Sequence, residues 1–507
     1  MRNKYTQRSA VTSNAMVVAP TPEAVQAGVS VLCQGGNAVD AAAATAFALT
    51  VTDPAMCSLG GRSQILIYLK DGQFLGIDGA TQSPRLVFEP ARKSYGYRTC
   101  AILGSPAALE EMVIRFGSLP LRIIMKPAIG LAQDGFVIKK DYHDLFAEYK
   151  KIFRRYPGTA RHFLKEDGSC YVAGETFRQP ALARTLEIMA NDGAGAFYKG
   201  KLAQAIAADM LNNNGLIRKD DLAQYHTLSG EIVDGNYRGH KIVSRGDQCD
   251  GASVIEILHI LEHFQLSDYK LSDPQYLHIL AQAMFIGFSD EYLPDWQQVS
   301  KALAVRRVRE IELTKTLPVP IEPEKPARDG DTNHLSVIDE EGNAVALTQS
   351  IGPPFGSKVA NPELGFLYAY SYNMAEHPLQ YHREKSSQSP TIVFRDNQPY
   401  IVIGAAGNIR IPASIVQTIV NVIDHNMSLD EAVSSPRVFL TDQELHLEAA
   451  ELPESTLTEL QRLGYNIKVH DNFDGYFGRA HAILIDRLTK KIYGAADPRD
   501  YGAAGGY

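Results

Sequence analysis

Asp331-Thr332-Asn333-His334 opens the run HLSVIDEEGNAVALTQS and has the chemistry of a cleavage point as well as of a strand start. If the bond before Thr332 breaks, that residue becomes an amino terminus bearing a hydroxyl nucleophile and an α-amine with an unperturbed pKa of about 7.7–8.0. Such an amine takes the hydroxyl proton near neutrality, so one residue supplies both nucleophile and base. Thr348 and Ser350 stand two residues apart later in the same run, hence on one face of a strand. Gly404-Ala405-Ala406-Gly407-Asn408 follows an apolar run, and glycine there lets backbone N–H groups approach an oxyanion with no side chain between. Each feature also has a plain structural alternative: a β-branched residue beginning a strand, a solvated strand face, and a strand-exit turn.

Positioning these groups requires paired strands, and the sequence supplies them. HLSVID and AVALTQS flank Glu341-Gly342-Asn343, PTIVF and PYIVIG flank Asp396-Asn397, and SQILIYLKDGQFLGID has two apolar runs around Asp71-Gly72, all three reading as hairpins. GNYRGHKIVS reads as a strand pair, NIKVHD as a strand and AHAILIDRLTKKIYG as a further hairpin. Thr21-Pro22-Glu23 caps a helix that exits at Gly35-Gly36, and Asp40 is expected to open an alanine-rich second helix. Apolar spacing near 3.6 residues predicts helices in PAALEEMVIRFG, PLRIIMKPAIGLAQDG, QPALARTLEIMANDG, KLAQAIAADMLNNNG, SVIEILHILEHF, QYLHILAQAMFIGFSDEYL, IPASIVQTIVNVID and PESTLTELQRLG. Sheets flanked by helices predict an α/β layered domain. The proline-rich stretch Thr316–Asp331 has little that packs and is expected to be a mobile surface segment offering little resistance to cleavage at its end.

The composition bounds the partners. Of 507 residues, 45% are hydrophobic and 21% charged, which predicts a large buried core. A net charge of -8 argues against nucleic acid or an anionic membrane as the main partner and leaves small molecules or peptides. Cys33, Cys57, Cys100, Cys170 and Cys249 form no C-x-x-C pair and no zinc-ligand spacing, so they read as reduced thiols with no metal. The first residues lack the apolar stretch of a secretory signal, and no segment has the roughly eighteen apolar residues of a membrane span. A cytoplasmic location is the expectation.

Taken together, QGGNAVDAA, GSLPLRIIMKPAIGLAQDGF, GAFYKG, GLIRKDDLAQY, GNYRGHKIVS, TNHLSVIDEEGNAVALTQS, FGS, SSQSPTIVF and AADPRD resemble segments of the γ-glutamyltranspeptidase family, in family order along the whole chain. These are N-terminal nucleophile enzymes that cut themselves into a large and a small subunit. The resemblance implies a four-layer αββα fold, with a large, mostly helical chain 1–331 and a small chain 332–507 that associate, cleavage falling between Asp331 and Thr332. It implies Thr332 as nucleophile and a hydroxyl at Ser350 that orients the terminal amine. Thr348, on the same face, is a further catalytic candidate, with a plain strand residue as the alternative. It also implies oxyanion donors at Gly407 and Asn408, where the family has two glycines, and a substrate carboxylate held by Ser386 and Ser387, which equally suit a turn before a proline. No cofactor is implied, and homo-oligomers of processed units are left open.

The chain departs from the family where the glutamyl head group is read. On a gap-free reading the family's carboxylate-binding arginine falls at Ala80, its amine-binding glutamine and aspartate at Ser371 and Met374, and an asparagine at Gly352. Without a carboxylate partner a buried ammonium costs several kcal/mol. The expected target is therefore an amide whose acyl part differs from ordinary γ-glutamate. Arg62, where the family usually has a small residue, is a candidate replacement clamp, against the view of an exposed loop arginine; Arg410 is a second candidate and also matches a family arginine of structural type. Phe366, Tyr368, Tyr370 and Tyr372 would line an aromatic acyl site or simply pack. The segment 375–385 is shorter than the lid of many family members, which favours water over a peptide acceptor. Two other readings remain: a true γ-glutamyl transferase with altered head-group recognition, and an unprocessed pseudoenzyme that binds without reacting.

Overall fold

The computed structural model describes residues 7–87, 95–289, 298–317, 331–371, 378–441, 444–448 and 452–507. Two antiparallel seven-stranded sheets form its centre. The first runs, in spatial order, β19 (Ala503–Gly506), β2 (Met16–Ala19), β10 (Asp331–Ile338), β11 (Ala344–Gly352), β3 (Arg62–Tyr68), β4 (Phe74–Gly79) and β7 (Leu228–Ser229). The second runs β1 (Ser9–Thr12), β18 (Lys491–Ala496), β17 (Arg479–Asp486), β13 (Gln398–Ala406), β12 (Thr391–Arg395), β9 (His240–Arg245) and β8 (Ile232–Tyr237).

Side-chain alternation along the strands divides the core into three layers. Val18, Leu66, Ala346, Val402 and Ile483 point between the sheets and pack on one another. Their sequence neighbours Val17, Ile65, Ile67, Val345 and Leu347 point outward into the layer of α1 (Pro22–Leu32) and α2 (Ala38–Thr52). Ile401, Ile403 and Ala405 point the other way, into helices Gly251–Leu261, Pro274–Ser289 and Ile411–Ile423. The result is helix, sheet, sheet, helix, the four-layer arrangement expected. No described helix is long and apolar enough to cross a membrane.

All the expected hairpins form, as do the helices over their described residues. One boundary differs. The alanine-rich helix begins at Ala38, because the Asn37 side chain accepts from Val39 N and Asp40 N while Asp40 reaches back to Asn37 N at 2.9 Å, a reciprocal cap. Asp40 also accepts from Ser118 N and Ser118 Oγ, tying the helix start to the loop before helix Leu121–Asp134. Every residue of α2 is buried, as small side chains permit. Residues 318–330 of the proline-rich stretch, together with Tyr372 and Met374, lie outside the described residues.

Candidate active site

Thr332 is the second residue of β10 and is buried. Asp331 lies opposite Gly352 and Thr332 opposite Ser350, so Ile351 bulges from the ladder at the Asp331–Thr332 peptide. The bulged residue is held elsewhere: Ile351 N donates to Met56 O at 3.3 Å, and Ile351 O accepts from Tyr370 N at 2.9 Å. Gly352 N donates to Ser350 Oγ at 3.0 Å, which fixes that hydroxyl beside the threonine.

From this point a polar row crosses the sheet. Ser350 faces Thr332 on one side and Arg62 on the other, and continuing the β3–β4 register one step beyond Ser63 and Gly79 sets Ala80 next to Arg62. The row below it reads His334, Thr348, Gln64 and Asp78, in the same cross-strand order. Directly paired residues share a face with Cβ atoms about 4.5–5.5 Å apart, so both rows face the gap between the sheets. Beneath them the apolar inter-sheet core begins.

The second row has a fixed proton direction. Ser336 Oγ donates to His481 O at 3.0 Å, so it accepts from His334 Nε2 at 3.1 Å. That leaves His334 Nδ1 bare, to accept from Thr348 Oγ1 at 2.8 Å. Burial, with His481 nearby, holds the imidazole well below its ordinary pKa, so it stays neutral. Thr348 is thus committed to His334 and orients that ring.

His334 packs against β13 at Gly404, where an added Cβ would lie 2.3 Å from the ring. Because Val402 sits farther into the inter-sheet core, the residues after Gly404 lead toward the Thr332 end. Gly407 follows at φ +128° and Asn408 at φ +56°, the first a conformation for glycine and the second one that asparagine tolerates. Asn408 Nδ2 is buried without an acceptor among the described residues. Arg410, two residues on, stacks over the Tyr476 ring at 3.8 Å, so this candidate clamp is a packing residue of the helical side.

Arg62 is the first residue of β3 and only 7% exposed, which sets aside the exposed-loop view. Its Nε and Nη1 are buried without a hydrogen-bond acceptor among the described residues. Nearby, Asp78 accepts from Gln64 Nε2 and from Ala80 N, each at 2.7 Å, and pairs with Arg383 Nη1 at 3.6 Å. Arg383 also lies over the Tyr225 ring at 5.0 Å.

With this geometry in place, comparison with known proteins is decisive. The gamma-glutamyltranspeptidase family profile matches residues 24–507. The chain belongs to this family. The glutathione hydrolase proenzyme of Escherichia coli strain K12 is 32% identical to it, across 96% of this chain and 90% of the relative. The acylase ACY 1 proenzyme of Pseudomonas sp. strain SE83 is also 32% identical, across 90% and 87%. Among solved structures, a cephalosporin acylase from Bacillus halodurans superposes with a TM-score of 0.87 at 26% identity, covering 100% of this chain and 98% of that one. The two-sheet layering is therefore the N-terminal nucleophile hydrolase fold.

Around the positions where the gamma-glutamyltranspeptidase resemblance led us to expect head-group recognition, the structure differs from what the sequence suggests. Ser371 is buried and donates to Glu384 Oε1 at 2.7 Å, so a carboxylate stands beside the position expected to have lost its polar reader. Nothing in HREK marked Glu384, since such a charge run usually reads as a solvated face. Residues 378–385 are tied down: Ser83 Oγ donates to Leu379 O at 2.5 Å, His382 N donates to Ser83 Oγ at 2.9 Å, and Lys385 pairs with Asp250 at 2.8 Å. Ser386 Oγ accepts from Gln388 N at 3.3 Å and Ser387 O accepts from Ser389 Oγ at 3.0 Å, turn bonds that leave both serines half-buried. Phe366 packs on Phe197, Tyr368 donates its hydroxyl to Asp209 at 3.3 Å, and Tyr370 packs on Tyr95, so each of these rings has a packing or hydrogen-bonding partner within the protein. Asp53, which accepts from Asn333 Nδ2 at 3.2 Å, was also missed; its signal is that it is the one charged residue between Asp40 and Arg62.

Proposed function

We propose that this chain is a self-processing N-terminal threonine amidohydrolase acting on amides whose acyl group carries a distal anion. The observation that carries the reading is Thr332 itself: buried, next to a ladder bulge, and opposite Ser350 in a polar row between the sheets. In maturation Thr332 Oγ attacks the carbonyl carbon of Asp331, the Asp331–Thr332 C–N bond breaks and an ester forms. Water then hydrolyses the ester, giving chains 1–331 and 332–507. In turnover Oγ attacks the substrate carbonyl, the α-amine takes its proton and passes it to the departing amine, and water releases the acyl group. Ser350 orients the α-amine. Backbone N–H groups at Gly407 and Asn408 hold the oxyanion, with Asn408 Nδ2 as a further donor.

Arg62 supports the specificity. Its buried guanidinium with open donors calls for an anion. It sits two strands from Thr332, about 10 Å at the usual strand spacing, which suits a glutaryl-length acyl chain. The E. coli and Pseudomonas relatives, named as a glutathione hydrolase and an acylase, agree with amide cleavage. Ser386 and Ser387 stand as further carboxylate contacts.

Glu384 on Ser371 favours a second reading, a γ-glutamyl transferase whose ammonium is met by this carboxylate. Purified processed protein given glutaryl and γ-glutamyl p-nitroanilides separates the two. Faster turnover of the glutaryl compound supports the first reading, and clear preference for the γ-glutamyl compound replaces it with the second.

A further inference from the structure

The turn after α2, Asp53 to Cys57, grips both strands of the Thr332 hairpin from the helical side. Asn333 points there because it alternates with Thr332 along β10. Its Nδ2 donates to Asp53 Oδ2 at 3.2 Å and to Cys57 Sγ at 3.0 Å. Met56 O holds Ile351 at the bulge. Asp53 Oδ1 in turn accepts the hydroxyl of Tyr142, on helix Lys140–Phe153. Cleavage before Thr332 removes its covalent tether on one side, leaving strand pairing and the grip on Asn333 to fix the new terminus. We infer that Asp53 is a positioning residue, whose carboxylate, seated on Tyr142, holds Asn333 from behind the sheet and keeps terminal Thr332 aimed at the acyl carbon. The inference rests on Thr332 being the nucleophile.

The surroundings make this grip pH-dependent. The groups that face Asp53 are Cys57 from its own turn, Asn333 from β10, Tyr142 and Asp141 from the helix, Asp500 from the loop before β19 and Arg479 from the start of β17. Burial, then the charge of Asp500, push the Asp53 carboxyl up to about 7, against hydrogen bonds from Tyr142 and Asn333 and the charge of Arg479. Burial and the Asp53 charge raise Cys57 and Tyr142 well above their ordinary values, so both keep their protons and Asp53 is the group that titrates. A cleft lined by Lys139, Asp141, Arg479 and Tyr501 leads to it. Below neutrality the carboxyl is neutral and its hold on the Asn333 amide weakens. The free α-amine of Thr332 must also be unprotonated, so the full rate is reached only when both protons have left.

The test uses the processed protein and p-nitrophenyl acetate, an activated ester that needs no head-group recognition. Acylation is read by mass on chain 332–507 from about pH 5 to 9. On the acid side the α-amine should give the wild-type rate one logarithmic unit per pH unit, and Asp53 should steepen the climb near neutrality by about tenfold in all. Asp53→Asn should climb one unit per pH unit without that steepening, and be slower by about tenfold at its plateau. Tyr142→Phe keeps the carboxylate but removes its hydroxyl donor, and should move the Asp53 limb to higher pH. If Asp53→Asn does not fold, Tyr142→Phe decides alone. Wild-type rate and steepness in the variants that fold would overturn the inference. A wild-type protein that is never processed, or a Thr332→Ala protein acylated as fast as wild type, would instead remove the nucleophile reading.

Discussion

Arg62 and Asp53 are buried charged residues on opposite faces of the first sheet, and each makes a different prediction. Truncating Arg62 to alanine should lower kcat/KM for a glutaryl anilide by about 10–100-fold, the worth of a charge-assisted hydrogen bond, mostly through KM. An acetyl anilide, with no distal anion, should be little affected; an equal loss on both compounds would reassign Arg62 to folding. Asp53 predicts a stability profile. Its folded pKa of about 7 lies above the ordinary 3.8, so between these values the folded state binds more protons than the unfolded one. This contribution is fully present below about pH 4 and is lost as pH rises through 7, a change on the order of a few kcal/mol. Denaturant melts across that window should show the fall in wild type and a flatter profile in Asp53→Asn; identical slopes would mean Asp53 does not titrate there.

At the scale of elements, the candidate site depends on how closely β10 approaches β13. Gly404→Ala would drive a methyl into the His334 ring and should cost about 1–3 kcal/mol, read as a lower midpoint in thermal unfolding. An unchanged midpoint would mean the sheets can part there without cost. Elements with their own local signal were legible in the sequence: capped helices, glycine-turn hairpins, and the Thr332 hairpin with its hydroxyl partner and glycine loop. Helix Lys140–Phe153 was missed because it buries only Tyr142, Phe146 and Phe153. β1, β2 and β19 have four residues each and exist only through partners far away in sequence. The same limit applies to the site. Arg62 looked like a loop residue until strand pairing placed it beside Ser350, and Glu384 gained meaning only from its bond to Ser371.

The whole molecule is interleaved across the proposed cleavage point. In the first sheet β10 and β11, from the C-terminal segment, lie between β2 and β3 from the N-terminal one. In the second, β12 pairs with β9 and β18 with β1, again across the two segments. Chains 1–331 and 332–507 should therefore migrate as one particle in size-exclusion chromatography after cleavage and separate only in denaturant; dissociation in native buffer would contradict the shared sheets. Everything proposed for catalysis depends on that cleavage. The most direct measurement is the intact mass of the denatured protein, with amino-terminal sequencing of its fragments, for wild type and Thr332→Ala. The account predicts two wild-type fragments summing to the 55.7 kDa chain plus one water, the smaller beginning at Thr332, and a single uncut Thr332→Ala chain. A wild-type protein that stays whole, or a Thr332→Ala protein that is cut at the same bond, would contradict it.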